Sequence, residues 1–374
     1  MFLALREMRR AAVRFTLLVL AIGLLVFLIL TQQALQDGLI TSFVGGIRNQ
    51  SAPVLVYSVD GQRTLQGSVV PPPLEQAVRD TEGVGTAARL GQGTFTVQVG
   101  DEPASDAAVV GTDDPELGTP AEVSAGRRPE APGEAIGSDG DFAVGDVVTV
   151  MAPEGGADAV TLTVVGLAED VQISVTPTVF TDLATYEAAV LAANPDATEV
   201  LPNALAVRPA EGVEAEMLTA RINDASDEAD ALTREQAADQ APGVAQVRQS
   251  FQVILGLYGL VIPLVTGLFF LIITLQKAPS LVLLRAVGAT GGVLARALVV
   301  QVAVVVGLGI AVGVALYVPL SQAKIGSLAL RFDPTAVLAW AAAVLVLALA
   351  SALVSVRRVL RIDPIEATTP AGVR

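Results

Sequence analysis

Residues 15–30 read FTLLVLAIGLLVFLIL and contain no charged side chain. This run approaches the length that an α-helix needs to cross a hydrocarbon core of about 30 Å. Residues 253–275, 297–320 and 337–356 form three further apolar runs of similar length. The sequence therefore predicts a membrane α-helical protein with four transmembrane helices.

A long polar segment lies between the first two apolar runs. Its length of about 220 residues suits one or two folded domains. Short segments rich in Val and Thr alternate there with Gly, Pro and Asp, which predicts an α+β domain. The predicted strands are 54–59, 94–99, 107–110, 147–151, 161–165 and 205–207, the predicted helices are 72–80, 182–193, 211–224 and 229–238, and 111–140 is typical of surface loops.

These patterns predict a layout of nine segments. We expect a cytoplasmic interfacial helix (1–14), transmembrane helix 1 (15–32), an extracytoplasmic α+β domain with stalk helices (33–250), transmembrane helix 2 (251–276), a cytoplasmic coupling helix (277–292), transmembrane helix 3 (293–320), a short external loop (321–334), transmembrane helix 4 (335–356) and a cytoplasmic tail (357–374). The stalks are predicted at 33–46 and 245–252, as outward continuations of the first two spans.

The charges predict the orientation of this layout. The two terminal flanks and the connection between spans two and three hold 11 of the 23 basic residues but only three of the 38 acids. Lys and Arg beside a span stay on the cytoplasmic side. Both termini and the connection are therefore expected in the cytoplasm, and the acidic domain outside the plasma membrane of a bacterium.

Composition excludes several classes of function. The chain has neither Cys nor His, which excludes disulfides, thiol nucleophiles, histidine triads and histidine metal sites. Its only lysines are Lys277 and Lys324, and neither follows a Gly, so a Walker A loop is absent. The net charge of −15 argues against nucleic-acid binding. We expect a non-catalytic subunit without a metal site or a cofactor of its own.

Two readings stay open for the N-terminus. A basic start followed by an apolar run is also the pattern of a secretory signal, but residues 31–37 (TQQALQD) lack a small-x-small cleavage site, which favours a retained anchor. Residues 2–10 mix large apolar and basic side chains. They predict a helix lying along the inner leaflet, and the alternative is a solvated lead-in to the span.

The connection between spans two and three predicts a short amphipathic helix. Leu281, Leu284 and Val287 have helical spacing, Gly288 suits a helix C-terminus, and Thr290 can cap the following helix. Such a helix offers a soluble motor a handle on two spans. The alternative is a bare re-entrant connector.

Several stretches together resemble one family of membrane proteins. They are FFLIITLQK (269–277), LRAVGAT (284–290), RRVLRIDPIEA (357–367), and VGDVVTV (144–150) with LTVVGL (162–167) in the domain. The chain is similar to FtsX-like, or MacB-type, ABC transporter permeases, and within them to the HrtB/DevC-like subgroup.

That resemblance implies a homodimer driven by two copies of a separate cytoplasmic ABC ATPase, which holds the ATP and Mg²⁺. It implies mechanotransmission, in which a coupling helix docks into a groove of the ATPase. The implied contact residues are Lys277, Ser280, Leu281, Leu284, Arg285, Ala286, Val287, Gly288, Ala289 and Thr290. The implied cargo is hydrophobic or amphiphilic (haem, lipid or drug-like), and the missing His weakens haem, which enters only as cargo.

Two other functions compete with export. An FtsX-like transmembrane signalling subunit would regulate an extracellular cell-wall hydrolase without transport. A membrane-anchored external enzyme or adhesion module is a third possibility, but the absence of His and Cys speaks against most hydrolases. ATPase stimulation by a small cargo separates export from signalling, and co-purification of an ATPase separates both from the third.

Single residues inside the spans predict how the helices meet. Gly309 and Gly313 form a small-xxx-small pair that suits close packing, within the chain or between two copies. Pro263 predicts a bend in the second span, either static or acting as a hinge. Asp333 and Pro334 predict the cap and the first turn of the fourth span.

Overall fold

The computed structural model describes residues 12–151, 159–276, 291–322, 324–325, 328–330 and 332–360. Within these residues four stretches are helical, long and apolar enough to cross a membrane: Ala12–Arg48, Val244–Phe269, Val299–Leu320 and Pro334–Ser351. The contacts divide the chain into two compact units. Among the described residues, one unit contains 12–36, 249–325 and 329–360, and the other contains Asp37–Arg248 together with Leu328. We call Asp37–Arg248 the inserted domain.

Two of the long helices continue through the boundary between the units. The first helix passes Gln36 and ends at Arg48, and another begins at Val244 and passes Gln249. The helices are α1 (Ala12–Arg48), α2 (Pro72–Asp80), α3 (Pro115–Gly118), α4 (Leu183–Ala193), α5 (Ala215–Ala225), α6 (Arg234–Asp239), α7 (Val244–Gln276), α8 (Gly291–Leu320) and α9 (Pro334–Leu360).

The start of α9 agrees with its sequence. Asp333 Oδ1 accepts a hydrogen bond from the backbone N–H of Thr335 at 2.8 Å. Pro334, which has no N–H to leave unpaired, occupies the first turn. The predicted cap of this helix is therefore confirmed.

The inserted domain contains one large sheet. Strands β1 to β10 form this sheet, and a separate pair, β11 and β12, lies between α8 and α9. The strands are β1 (Val54–Ser58), β2 (Val84–Val99), β3 (Ser105–Thr112), β4 (Ala125–Gly126), β5 (Glu134–Ser138), β6 (Val147–Val150), β7 (Val160–Ala168), β8 (Thr178–Asp182), β9 (Ala204–Pro209), β10 (Ala229–Thr233), β11 (Lys324–Ile325) and β12 (Leu328–Ala329).

Six strands of this sheet close into a small barrel. Starting from β2, the neighbours are β3, β8, β5, β7 and β6, and β6 pairs again with β2. The pairs β3–β8 and β5–β7 are parallel, and the others are antiparallel. Small barrels of this kind are filled by side chains. The buried cluster here includes Phe95, Val97, Val109, Phe142, Leu162, Val164 and Val179.

The other part of the sheet has a βαββαβ arrangement. Its strand order is β10–β1–β9–β2, with α2 between β1 and β2 and α5 between β9 and β10. Side chains alternate along β1: Val54 and Val56 belong to the cluster that contains residues of α2 and α5. Leu55 and Tyr57 belong to a different cluster on the opposite face. Both faces of this sheet are therefore covered.

One end of the strand order is protected by a single side chain. β10 pairs only with β1 among the strands that the structure describes. Asn223 of α5 donates from Nδ2 to the carbonyl of Ala231 at 3.1 Å, and its Oδ1 accepts from the Ala231 N–H at 2.7 Å. The Asn223 amide thus occupies the outward N–H and C=O of Ala231, in the middle of a strand edge that would otherwise leave them open.

The structure corrects some of the predicted elements. Residues 229–238, predicted as one helix, form β10 followed by α6, and Thr233 caps α6 through a capping box with Gln236. Pairing with β1 overrides the helix propensity of the alanines in β10. The predicted loop region 111–140 contains α3, β4 and β5. β8 was not predicted at all, although Val179 and Phe180 are strand-forming residues.

Candidate functional site: the junction between two long helices and the sheet

The face of the βαββαβ sheet opposite α2 and α5 is covered by the ends of α1 and α7. Ile40, Val44 and Ile47 of α1 are buried in one cluster with Leu55 and Tyr57 of β1. Val244, the first residue of α7, belongs to the same cluster. Burying such aliphatic side chains contributes about 1.5–3 kcal/mol each. We call this region of the inserted domain the junction.

Backbone hydrogen bonds join α1 to the loop before β8. The Gly46 N–H donates to the carbonyl of Gln172 at 2.9 Å. In the other direction, the N–H groups of Ser174 and Val175 donate to the carbonyls of Phe43 and Ser42 at 2.9 and 2.8 Å. We call this loop, residues 170–175, the clasp loop. Its bonds to α1 involve the main chain, so they fix the position of the helix end directly.

Two consecutive glycines allow this close approach. A Cβ atom on Gly45 would lie 2.3 Å from the carbonyl oxygen of Asp170. A Cβ atom on Gly46 would lie 2.5 Å from Cγ1 of Ile173. Both distances are far below a normal contact, so α1 can meet the clasp loop only without side chains here. Just beyond the helix, Asn49 Nδ2 donates to the carbonyl of Asp170 at 2.7 Å.

A carboxylate connects the two helices within the junction. Oδ1 of Asp239, the last residue of α6, accepts from Arg48 at 3.4 Å and from Arg248 at 3.0 Å. Arg48 is the last residue of α1, and Arg248 lies in the second turn of α7. The side chains are 40–51% exposed, so each ion pair stabilises the fold by less than about 1 kcal/mol. Asp239 therefore contacts both helix ends but contributes little to holding them in place.

Arg63 makes a further polar contact near the start of α7. Its Nε donates to Asp230 Oδ2 at 2.7 Å, and its Nη1 donates to Gln240 Oε1 at 2.5 Å. Asp230 lies opposite Tyr57 in the β1–β10 ladder. Burial raises the pKa of the Tyr57 hydroxyl, and the nearby Asp230 carboxylate raises it further. The tyrosine is therefore a neutral core residue rather than a proton donor for chemistry.

The predicted coupling residues fall outside the described residues. This applies to all ten, from Lys277 to Thr290, and equally to residues 1–11 and 361–374 at the termini. Their roles stay predictions.

The two predicted packing glycines of α8 lie against α1. A Cβ atom on Gly309 would lie 2.6 Å from Cγ2 of Ile22, and one on Gly313 would lie 2.7 Å from the carbonyl oxygen of Gly23. On α1 itself, a Cβ atom on Gly23 would lie 2.9 Å from Val312. Gly23, Gly309 and Gly313 therefore lie where α1 and α8 of the same chain pack against each other.

Pro263 lies inside α7 and is contacted by α9. Ser351 Oγ donates to the carbonyl of Pro263 at 2.6 Å. The hydroxyl of the neighbouring Thr266 donates to the carbonyl of Ile262. Both hydroxyls bond to carbonyls beside the helix proline, whereas the carbonyl that loses its regular helix donor is that of Gly259, four residues before Pro263.

Sequence reasoning missed the junction residues. Gly45 and Gly46 are adjacent glycines in a helical segment, which was a usable signal for close backbone contact. Asp239 and the clasp loop gave no such signal, because their partners are distant in sequence. Asp239 lies 191 residues from Arg48.

Comparisons with known proteins found likeness only among solved structures. No protein-family model matches the sequence, and no curated protein matches it. The structure is similar to the periplasmic region of MacB from Actinobacillus actinomycetemcomitans, with 10% identity and a TM-score of 0.36, over 53% of this chain and 96% of that one. It is also similar to the extracellular domain of the noncanonic ABC-type transporter YknZ from Gram-positive bacteria, with 11% identity and a TM-score of 0.31, over 48% and 99%.

A third similar structure is a domain of a putative permease protein from Porphyromonas gingivalis. It has 18% identity and a TM-score of 0.29, over 48% of this chain and 89% of that one.

Proposed function

We propose that this chain is the permease subunit of an ABC exporter, a homodimer driven by two copies of a separate cytoplasmic ATPase. The observation that carries the proposal is the course of α1 and α7. Each helix combines an apolar stretch long enough to cross a membrane with an end that is buried in the inserted domain. α1 contains no proline and is stiff over this length, so movement of its apolar part reaches the inserted domain, whereas α7 carries Pro263 within its apolar stretch.

The source of movement in this proposal is the segment between α7 and α8. It carries Lys277 and Arg285 without any acidic residue, which supports a cytoplasmic position. The amphipathic spacing of Leu281, Leu284 and Val287 supports a coupling helix. The resemblance of residues 284–290 (LRAVGAT) to the signature of FtsX-like permeases supports it as well. The chain lacks a Walker A loop, so ATP and Mg²⁺ belong to the partner.

The role of the chain is mechanical in this scheme. Closure of the ATPase on ATP moves the coupling segments, α1 and α7 carry the movement, and the inserted domains displace a hydrophobic or amphiphilic cargo. The chain itself makes and breaks no bonds. Cargo candidates are a lipid, a drug-like molecule or haem, and haem is disfavoured by the absence of His.

Purification of the tagged full chain from its native membranes into nanodiscs tests this proposal. We expect vanadate-sensitive ATP hydrolysis, together with a second polypeptide that is photolabelled by azido-ATP. Leu284→Asp places a charge on the predicted apolar face and should abolish this activity. Gln322→Glu, an exposed position elsewhere in the chain, should leave it intact. An eluate free of ATPase, or full activity in Leu284→Asp, would contradict the proposal.

Stimulation of the same preparation separates export from signalling. If a lipid, haem or a drug-like amphiphile raises ATP hydrolysis, the exporter is supported. If only an extracellular protein does so, the FtsX-like signalling role replaces it.

A further inference from the structure

The clasp loop has an unusual backbone conformation. Asp170, Ser174 and Val175 have φ values of 56°, 54° and 62°, in the left-handed region. Side chains of L-residues disfavour this region, and a β-branched residue such as valine disfavours it most. Such conformations persist where the surrounding structure imposes them, and they cluster at functional and switching sites.

The clasp loop is held from two sides. On one side, the N–H groups of Ser174 and Val175, two of the left-handed residues, donate to carbonyls of α1. On the other side, Thr178 of β8 accepts from the Ile173 N–H at 3.0 Å and donates its own N–H to Ser138 of β5 at 3.1 Å. The strained residues thus lie between the end of α1 and the wall of the barrel.

We propose that the clasp loop is a strained latch. Carbonyl groups of α1 hold Ser174 and Val175 in the left-handed conformation, and displacement of α1 frees both residues to relax. Relaxation alters how the loop is attached to β8, so the position of α1 controls one wall of the barrel. The latch rests on the proposed function in one respect: the ATPase-driven movement is what displaces α1.

Strain in the latch is tested with Ser174→Gly. Glycine adopts a positive φ without steric cost, and the Ser174 side chain is exposed, so little packing is lost. Amide hydrogen exchange is measured on the full chain in nanodiscs, without ATP. We expect exchange of residues 170–176 to slow by about fivefold to tenfold. Unchanged or faster exchange would show that this conformation stores no strain.

Dependence of the latch on α1 is tested with Gly45→Ala. The added methyl group meets the Asp170 carbonyl at 2.3 Å and must separate the helix from the loop. Exchange at Ser174 and Val175 should rise at least tenfold. The control is Gly256→Ala in α7, where a Cβ atom meets nothing within 4 Å. Exchange in Gly45→Ala equal to that of the control would overturn the latch. If this variant fails to fold, Asn49→Ala, which removes the 2.7 Å bond from Asn49 to the Asp170 carbonyl, tests the same dependence, and unchanged exchange of the clasp loop would overturn the latch.

These measurements are independent of any ATPase. If no ATPase co-purifies but both variants shift exchange as expected, the latch stands and the transporter assignment fails. If the ATPase is present and exchange does not respond, the transporter assignment stands and the latch fails.

Discussion

Glu75 is the most enclosed carboxylate among the ion pairs of the described residues, with a side chain only 9% exposed. Arg79 contacts its Oε1 at 2.9 Å from the next turn of α2, and Arg89 of β2 contacts the same atom at 2.9 Å. Burial raises the pKa of Glu75, but hydrogen bonds from Arg89 and Arg79 outweigh this effect, so the pKa is lowered overall. One residue thus ties α2 to the sheet.

We expect Glu75→Gln to destabilise the chain by about 1–3 kcal/mol at neutral pH, because two arginines lose their carboxylate. The folded-state pKa lies below the unfolded one, so the contribution of Glu75 is complete above the unfolded-state pKa. It is lost as the pH falls through the folded-state pKa, where the difference between variant and wild type should shrink.

Thermal melting followed by circular dichroism, on the full chain in detergent between acid and neutral pH, checks this. Glu216→Gln, at an exposed position of α5, serves as the control. Equal melting of Glu75→Gln and wild type at neutral pH would refute the role of this ion pair.

At the scale of elements, glycines set how closely α1 and α8 pack. A Cβ atom on Gly309 meets Ile22 at 2.6 Å and the carbonyl oxygen of Val19 at 3.3 Å. Two residues earlier, a Cβ atom on Gly307 meets nothing within 4 Å. The two positions form a matched pair on one helix.

Gly309→Ala should therefore lower stability by about 1–3 kcal/mol through overpacking. Gly307→Ala should be neutral or slightly stabilising, because alanine is the better helix former. Melting of the detergent-solubilised chain, detected by size-exclusion chromatography after heating, compares them. Identical midpoints would mean that α1 and α8 do not meet at Gly309.

Sequence patterns predict elements well where local signals agree. α2 was predicted with its observed bounds, Pro72–Asp80, since a proline pair opens it and its apolar residues have helical spacing. β2 was predicted only from residue 94, whereas the strand begins at Val84. Its first half contains Gly85, Gly91 and small alanines, whose strand conformation is imposed by pairing with β9 and β3.

The candidate site was less predictable than the elements. The clasp loop is held by main-chain bonds to α1 across a separation of more than 120 residues, and main-chain bonds leave little trace in side-chain patterns. The motif that the sequence did single out, residues 277–290, lies outside the described residues. Prediction and structure therefore point to two different regions of the chain.

At the scale of the whole molecule, acidic residues are almost absent from the three basic flanks, which are the two termini and the connection between α7 and α8. Residues outside the three basic flanks carry 35 of the 38 acids. Basic flanks stay in the cytoplasm, so the inserted domain is expected on the other side of the membrane. The absence of cysteine makes this expectation easy to test, since any thiol must be an introduced one.

We expect a membrane-impermeant maleimide to label Glu102→Cys in intact cells, since this exposed position lies in the inserted domain. Ala289→Cys should react only after the cells are permeabilised. Labelling of Ala289→Cys in intact cells would contradict the predicted orientation. It would also contradict the proposed contact of this segment with a cytoplasmic ATPase.

The amide of Asn223 has a consequence for crowded membranes. Open strand edges recruit further strands, and repeated recruitment ends in fibres. Here the β10 end of the sheet carries a side-chain substitute for the missing neighbour, and the ring of six strands has no end at all. Copies that collide at high density should therefore not recruit one another through the middle of β10, where Asn223 already bonds Ala231.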